Sequence, residues 1–256
     1  MLTRKQIFTI FILCITIIFI YIIKPPYHVI ESFSNNDLKI YFINLDSNID
    51  RWQNIQKHNL PNLHRFPAIN GKLLNKDSLI KQNVVNPSNK LRPGQLGCAL
   101  SHIEVLKLSQ LQPEKYSLIL EDDVIIPKNL PQTLYNLQLH FPKKWDIIFL
   151  GGCNIHGKKY NEKFIIPTNN DGSRNLCLHA YLVNKQNIKK ILDILKPLHR
   201  PVDSQLREKF NQLKVFYLYP NLINQNKELI SNRRVLDGLP QSNYWKEHHK
   251  DITIIY

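Results

Sequence analysis

Cysteine is scarce in this chain, four residues in 256, at positions 14, 98, 153 and 177. They form neither the close pairs of a zinc site nor the density of a disulfide-stapled domain, so both classes are excluded. Cys14 sits in an apolar run, which leaves three thiols able to supply at most one bridge and leaves the redox compartment open. No block of five or more like charges, no internal repeat and no long low-complexity tract is present, which excludes solenoid arrays and long disordered tails. A usable N-x-Ser/Thr acceptor is also missing after the apolar run, because Asn86 is followed by Pro87. Negative charge is in deficit, 20 acids against 34 Lys and Arg, for a formal net charge of +14. That balance suits an anionic partner. The basic residues are spread along the chain, a distribution that argues against a nucleic-acid stripe.

What the chain does have begins at its front. Ile7 to Ile23 contains no charged residue and is flanked by Arg4 and Lys5 before it and by Lys24, Pro25 and Pro26 after it. At ~1.5 Å per residue the run extends about 26 Å, enough to span a thin bilayer. No small-x-small cleavage site follows, so a permanent anchor is expected, with the N-terminus cytoplasmic by its flanking charge. The expected organisation is a cytoplasmic tail at 1–6, a transmembrane signal anchor at 7–23, a stem at 24–37 and one folded domain at 38–256. The stretch 231–256 is a tail with little pattern. A chain of this length, 43% apolar, supports one substantial core.

Within the domain, apolar runs alternate with helical periodicity. Strands are predicted at Leu38–Leu45, His64–Ile69, Ser117–Leu120, Trp145–Leu150 and Leu176–Val183. Helices are predicted from Ile49, capped by Asp46 or Asn48, from Pro93-Gly94 through Leu108, over Leu130–His140 and over Gln186–Leu195. Asn70-Gly71 marks a turn, and Gly94 and Gly97 suit close packing at a helix entry. This alternation predicts an α/β fold with a largely parallel sheet covered on both faces.

The sharpest feature is Leu118-Ile119-Leu120 running straight into Glu121-Asp122-Asp123. Adjacent carboxylates at the end of a buried strand repel one another unless a cation neutralises them. Ligands of open α/β sheets bind outside the carboxyl ends of the strands, where these acids fall. Side chains one residue apart on an extended chain point the same way, so Glu121 and Asp123 can face a metal while Asp122 faces elsewhere. An acidic helix cap before Pro127 is the alternative reading.

Six segments in order, YFINLDSNIDRW at 41–52, FPAING at 66–71, GQLGCALSH at 94–102, LILEDDV at 118–124, HAYLV at 179–183 and PVD at 201–203, resemble glycosyltransferase family 25, the lipooligosaccharide and collagen galactosyltransferase group. The resemblance runs from Leu38 to about Ser231. It implies a GT-A type fold, a UDP-sugar donor, often UDP-galactose, a manganese-type metal (Mn²⁺ or another divalent cation) and inversion at the anomeric carbon. Carried across, Glu121 and Asp123 match the metal and donor site, with Asp122 inside it and counted with the catalytic set. Asn44 and Arg51 match the motif that meets the nucleotide. Ser101 and His102 match the helical motif aimed at the donor, and His179 is placed to touch substrate or complete the metal shell. Asp203 is the expected base that takes the acceptor's proton. Alternatives are a helix-surface ion pair for Arg51, a structural role for His102 or His179 and a helix cap for Asp203. Ser231-Asn232-Arg233-Arg234 departs from the family pattern, where a Ser followed by an acid is usual.

The resulting expectation is a metal-dependent inverting transferase that moves galactose or glucose from UDP to a glycan, glycolipid or glycoprotein hydroxyl. With the anchor it would be a single-pass type II membrane protein facing the secretory-pathway lumen of a eukaryotic or virus-infected cell, where nucleotide sugars are imported. A catalytically silent glycan-binding relative and a metal-dependent nucleotidyltransferase are the competing classes.

Overall fold

The computed structural model describes residues 36–168, 175–226, residue 229 and the backbone of 253–255. The expected anchor, and the expected stem up to residue 35, lie outside the described residues. Among those residues no helix is long and apolar enough to cross a membrane. The expectation of a membrane-spanning, lumenal protein is corrected accordingly.

A nine-stranded sheet organises the fold. The strands of the first half are β1 (Leu38–Asn44), β2 (Leu63–Pro67), β3 (Tyr116–Glu121) and the short β4 (Val124–Ile125). Those of the second are β5 (Ile147–Phe149), β6 (His156–Lys159), β7 (Phe164–Pro167), β8 (Ala180–Asn184), β9 (Val215–Leu218), β10 (Asn224–Gln225) and β11 (Thr253–Ile255). The order across the sheet is β11-β6-β7-β9-β5-β8-β3-β1-β2, and β4 pairs with β10 in a separate ribbon. Pairing is parallel for β1 with β2 and β3, for β5 with β9 and for β11 with β6. It is antiparallel where β8 meets β3 and β5, and where β7 meets β9 and β6. Strands β7 and β8 therefore run against the other seven. The expected largely parallel sheet is present in mixed form, and the reversal of β8 brings its first residues beside the carboxyl end of β3.

The helices are α1 (Ile49–Gln56), α2 (Lys76–Lys81), α3 (Pro93–Leu111), α4 (Leu130–Leu137), α5 (Ile188–Ile194) and α6 (Val202–Arg207). Strand periodicity divides the core between them. Tyr41, Ile43, Ile119, Phe149, Tyr181 and Tyr217 face α3, α5 and α6 through Ile103, Leu106, Ile191 and Leu206. Ile40, Phe42, Leu118, Leu120, Ile148 and Leu182 face the other way, onto Ile55 of α1 and Leu130 and Leu134 of α4. Pro93, which needs no amide partner in a first turn, opens α3, and Gln95 accepts from the Arg92 amide at 3.1 Å.

Several boundaries differ from expectation for local reasons. Asn48 occupies the cap position of α1, but its side chain makes no cap bond and turns to Asp122 instead. Residues 176–179 do not begin β8, because Cys153 and Cys177 form a disulfide that holds this approach against the loop after β5. The turn at Asn70-Gly71 is present as a short 3-10 segment, with Asn70 accepting from the Lys72 amide. A Cβ on Gly97 would lie 2.4 Å from the Ile69 carbonyl oxygen, so the expected close packing at the entry of α3 is real.

Candidate functional site

The site forms where β1 and β3 end beside the start of β8. Asn44, the last residue of β1, is fully buried. Its Nδ2 donates to the Asn48 carbonyl at 3.0 Å and to Asp122 Oδ2 at 2.9 Å, while its Oδ1 accepts from Arg65 Nε at 2.9 Å. Arg51 reaches over from the first turns of α1 and meets Asp122 Oδ1 at 2.7 Å, both side chains about one-tenth exposed. Asp122 is thus held by the Arg51 guanidinium and by the amides of Asn44 and Asn48. This places Asn44 and Arg51 together at the middle acid.

Glu121 points to the opposite face, as its register on β3 requires. His102 Nε2 lies 3.0 Å from Glu121 Oε1, and His102 Nδ1 lies 2.9 Å from the Tyr181 hydroxyl. His102 and Tyr181 are buried, and burial together with the charge of Glu121 raises the Tyr181 phenol well above its ordinary range. A protonated Tyr181 that donates to Nδ1 leaves the proton of a neutral imidazole on Nε2, facing Glu121. The glutamate is thereby held from behind by a buried two-residue chain. Ser101, one residue earlier, is buried and serves α3 itself, donating to the Gly97 carbonyl at 2.7 Å and accepting from the Ile69 amide at 2.8 Å.

Asp123 has a different environment. Its carboxylate meets only the Gln225 amide among the described residues, at 3.2 and 3.4 Å, and its carbonyl accepts from the Asn226 amide. Burial and then the charges of Glu121 and Asp122 push its pKa up to about 8, against the smaller opposing effects of Arg51 and Gln225. The β4–β10 ribbon delivers Gln225 to this position through the Gln225–Val124 register.

His179 precedes β8, and its carbonyl accepts from the Glu121 amide at 2.9 Å. Its Nε2 meets the Ile223 carbonyl at 3.0 Å, so Nε2 carries the proton. Burial lowers its pKa and keeps it neutral, and Nδ1 is buried with no hydrogen-bond partner among the described residues. Asp203 lies in the first turn of α6, where Oδ1 accepts from the Ser204 amide at 2.7 Å and Oδ2 from the Cys177 amide at 3.3 Å. Among the described residues no hydrogen bond joins Asp203 to the acids of β3. Their connection runs through the chain from Cys177 to His179.

A divalent cation of the oxygen-seeking kind fits one observation here. A carboxyl crowded by two others and faced, among the described residues, by one amide lacks an adjacent cation for its ionised form, and oxygen ligands are what a divalent cation of this kind takes. Two clusters of three potential ligands also occur among the described residues. Cys98, His102 and Glu121 place ligand atoms within 4.8 Å of one another, and so do Cys153, Cys177 and His179, although the disulfide removes both thiols of the second group. Asp123 belongs to neither.

Sequence reasoning missed Tyr181, Gln225 and the disulfide. Tyr181 stands inside the HAYLV segment, which is the signal that could have found it. Gln225 carries no local signal, since only the antiparallel ribbon brings it to Asp123.

The family model described as Glycosyltransferase family 25 (LPS biosynthesis protein) matches residues 37–206. An Aedes aegypti protein named Glycosyltransferase 25 family member is 29% identical over 198 residues, which are 67% of this chain and 31% of that protein. The Xenopus laevis Procollagen galactosyltransferase 1-B is 27% identical over 193 residues, 66% of this chain and 30% of that protein. The chain thus spans about a third of the length of these curated relatives. Among solved structures, the glycosyltransferase GlyE of Streptococcus pneumoniae TIGR4 aligns with 85% of this chain and 61% of its own at 12% identity and a TM-score of 0.40. The family match covers the strand ends and helices that build the site, from β1 to α6, and on that match the chain belongs to glycosyltransferase family 25.

Proposed function

We propose that this chain is a GT-A-type, metal-dependent, inverting hexosyltransferase that moves galactose or glucose from a UDP-sugar to a hydroxyl of a glycan, glycolipid or glycoprotein. The observation that carries the reading is the run of three carboxyls at the carboxyl edge of the sheet, in which Asp122 is matched by Arg51 while the Asp123 carboxylate meets only the Gln225 amide among the described residues. Family membership supports sugar transfer, and the name of the Xenopus relative favours galactose.

In this reading Asp123 and Glu121 would hold the cation, and His179 would be a further donor to it. When bound, the cation would neutralise the charge that develops on the departing diphosphate. Asp122 positions Arg51 and the Asn44 and Asn48 amides at the strand ends, the side on which a nucleotide would enter. His102 orients Glu121 from within the core, and Ser101 fixes the helix that carries His102. Asp203, its carboxylate aimed by the Ser204 and Cys177 amides, accepts the proton of the attacking hydroxyl, a task that needs one base in an inverting displacement.

Calorimetry of UDP binding with and without Mn²⁺ tests the proposal, alongside mass-spectrometric detection of UDP released from UDP-galactose and UDP-glucose. Binding that requires Mn²⁺ is expected, and Asp123→Asn should weaken it at least tenfold while the circular dichroism stays native. UDP binding indifferent to metal, or turnover unaltered in the variant, overturns the assignment of Asp123.

A further inference from the structure

Beyond the acids at the strand ends, α5, α6 and the turn between them enclose a groove of about 700 Å³. Lys189, Lys190, Lys196, Lys209 and His199 line it, and Asp193 is the one lining acid among the described residues. None of the residues assigned to sugar transfer is among them. The groove is preformed, because buried Gln205 ties the turn to α6. Its Oε1 accepts from the His199 amide at 3.0 Å, and its Nε2 donates to the Ile194 and Pro197 carbonyls at 3.1 Å each. On the other side Leu198 exchanges backbone hydrogen bonds with Val84 and Asn86, each 2.8 Å long.

The charges of this groove are unevenly matched. Lys190 is turned towards buried Asp146 at 3.0 Å. Lys189 pairs with Asp193 along α5, but both side chains are well exposed, and such a pair yields readily to a competing anion. Lys196 and Lys209 extend from the exposed rim. Lys196 and Lys209 form no ion pair among the described residues, so the rim keeps an excess of positive charge that a bound oxyanion would offset. The remaining polar lining consists of the amides of Asn86, Gln186 and Gln212. Amides hydrogen-bond hydroxyl groups in both directions. Among the described residues no Phe, Tyr or Trp lines the groove, so they offer none of the stacking platforms that single-stranded nucleic acid uses.

From this lining we infer that the α5–α6 groove is a second binding site, for a saccharide bearing phosphate or sulfate groups, distinct from the donor site. The lysines meet the oxyanions and the amides meet the sugar hydroxyls. The inference stands whether or not the acids of β3 transfer sugar.

The test uses the full chain with a sulfated hexasaccharide, a phosphorylated hexasaccharide, an uncharged hexasaccharide and a single-stranded oligonucleotide, each titrated by calorimetry at physiological salt. At least one of the two charged saccharides should bind at least tenfold more tightly than the uncharged one, and which of them does so identifies the oxyanion. Lys196→Glu with Lys209→Glu should weaken that binding at least tenfold and leave UDP binding unchanged. The same charge reversal at Lys57 and Lys72, exposed lysines outside the groove, should change it less than threefold. Equal losses in the two double variants would reduce the effect to net charge and overturn the site. So would equal affinity for charged and uncharged saccharide, or an oligonucleotide bound more tightly than either charged saccharide.

Discussion

At the scale of single residues, three adjacent acids meet three different fates. Asp122 is compensated by Arg51 at 2.7 Å with little exposure of either side chain. Removing the cation from such a pair leaves a charge that the surroundings do not match. Arg51→Ala should therefore cost about 3 kcal/mol in urea denaturation, and adding Asp122→Asn should recover part of it. A loss below ~0.5 kcal/mol would class the pair with ordinary surface bridges. Asp123 has the opposite sign of coupling. Its pKa rises from 3.8 to about 8 on folding, so between those values the native state holds a proton that the unfolded chain has released. Metal-free stability should then fall as pH rises through this window and level off above it. Melting temperatures at pH 5, 6, 7 and 8 check this, with Asp123→Asn flattening the slope. An equal slope in the variant would show that this carboxyl is not the group responsible.

At the scale of elements, the disulfide and the reversed strand β8 do more for the site than helix propensity does. Cys153 follows β5, Cys177 precedes β8, and the two lie 24 positions apart in sequence. Cys177 has φ of 73°, in the left-handed region that a side-chain-bearing residue rarely adopts, and from there its amide reaches Asp203. The covalent link holds that backbone in place. Closing a loop of this length stabilises by about 3 kcal/mol. Replacing both cysteines with alanine should lower the melting temperature by roughly 6–12 °C and, where Asp203 is the base, lower turnover more than UDP affinity. A variant that melts like the parent but loses turnover would show the link to be functional and not structural. The disulfide was outside reach of the sequence, since spacing does not say which two of three thiols meet. Helix α3 was legible throughout, because Pro93, Gly97 and the apolar positions that follow all agree with one another.

At the scale of the whole molecule, one sheet serves two apolar layers. Ile119 and Leu120 are neighbours in β3 yet belong to different layers. Neither layer can open without exposing strands that the other needs, so the folded unit should lose both together. Fluorescence of Trp52 and Trp145, which lie on the α1 and α4 side, should follow the same denaturation curve as far-ultraviolet circular dichroism. Two separated transitions would show that the layers fold apart.

The sequence by itself determined the α/β alternation, the strand ending in Glu121-Asp122-Asp123 and the family, since these rest on local periodicity and on short motifs read in order. Only the tertiary structure decided that β8 runs backwards beside β3, that Arg51 belongs to Asp122, that Tyr181 stands behind His102 and that Gln225 meets Asp123. The three side-chain pairings join residues 71 to 102 positions apart. The physical reason is that side-chain pairing across a sheet depends on strand order and direction, and those are set by how both layers bury their apolar faces together.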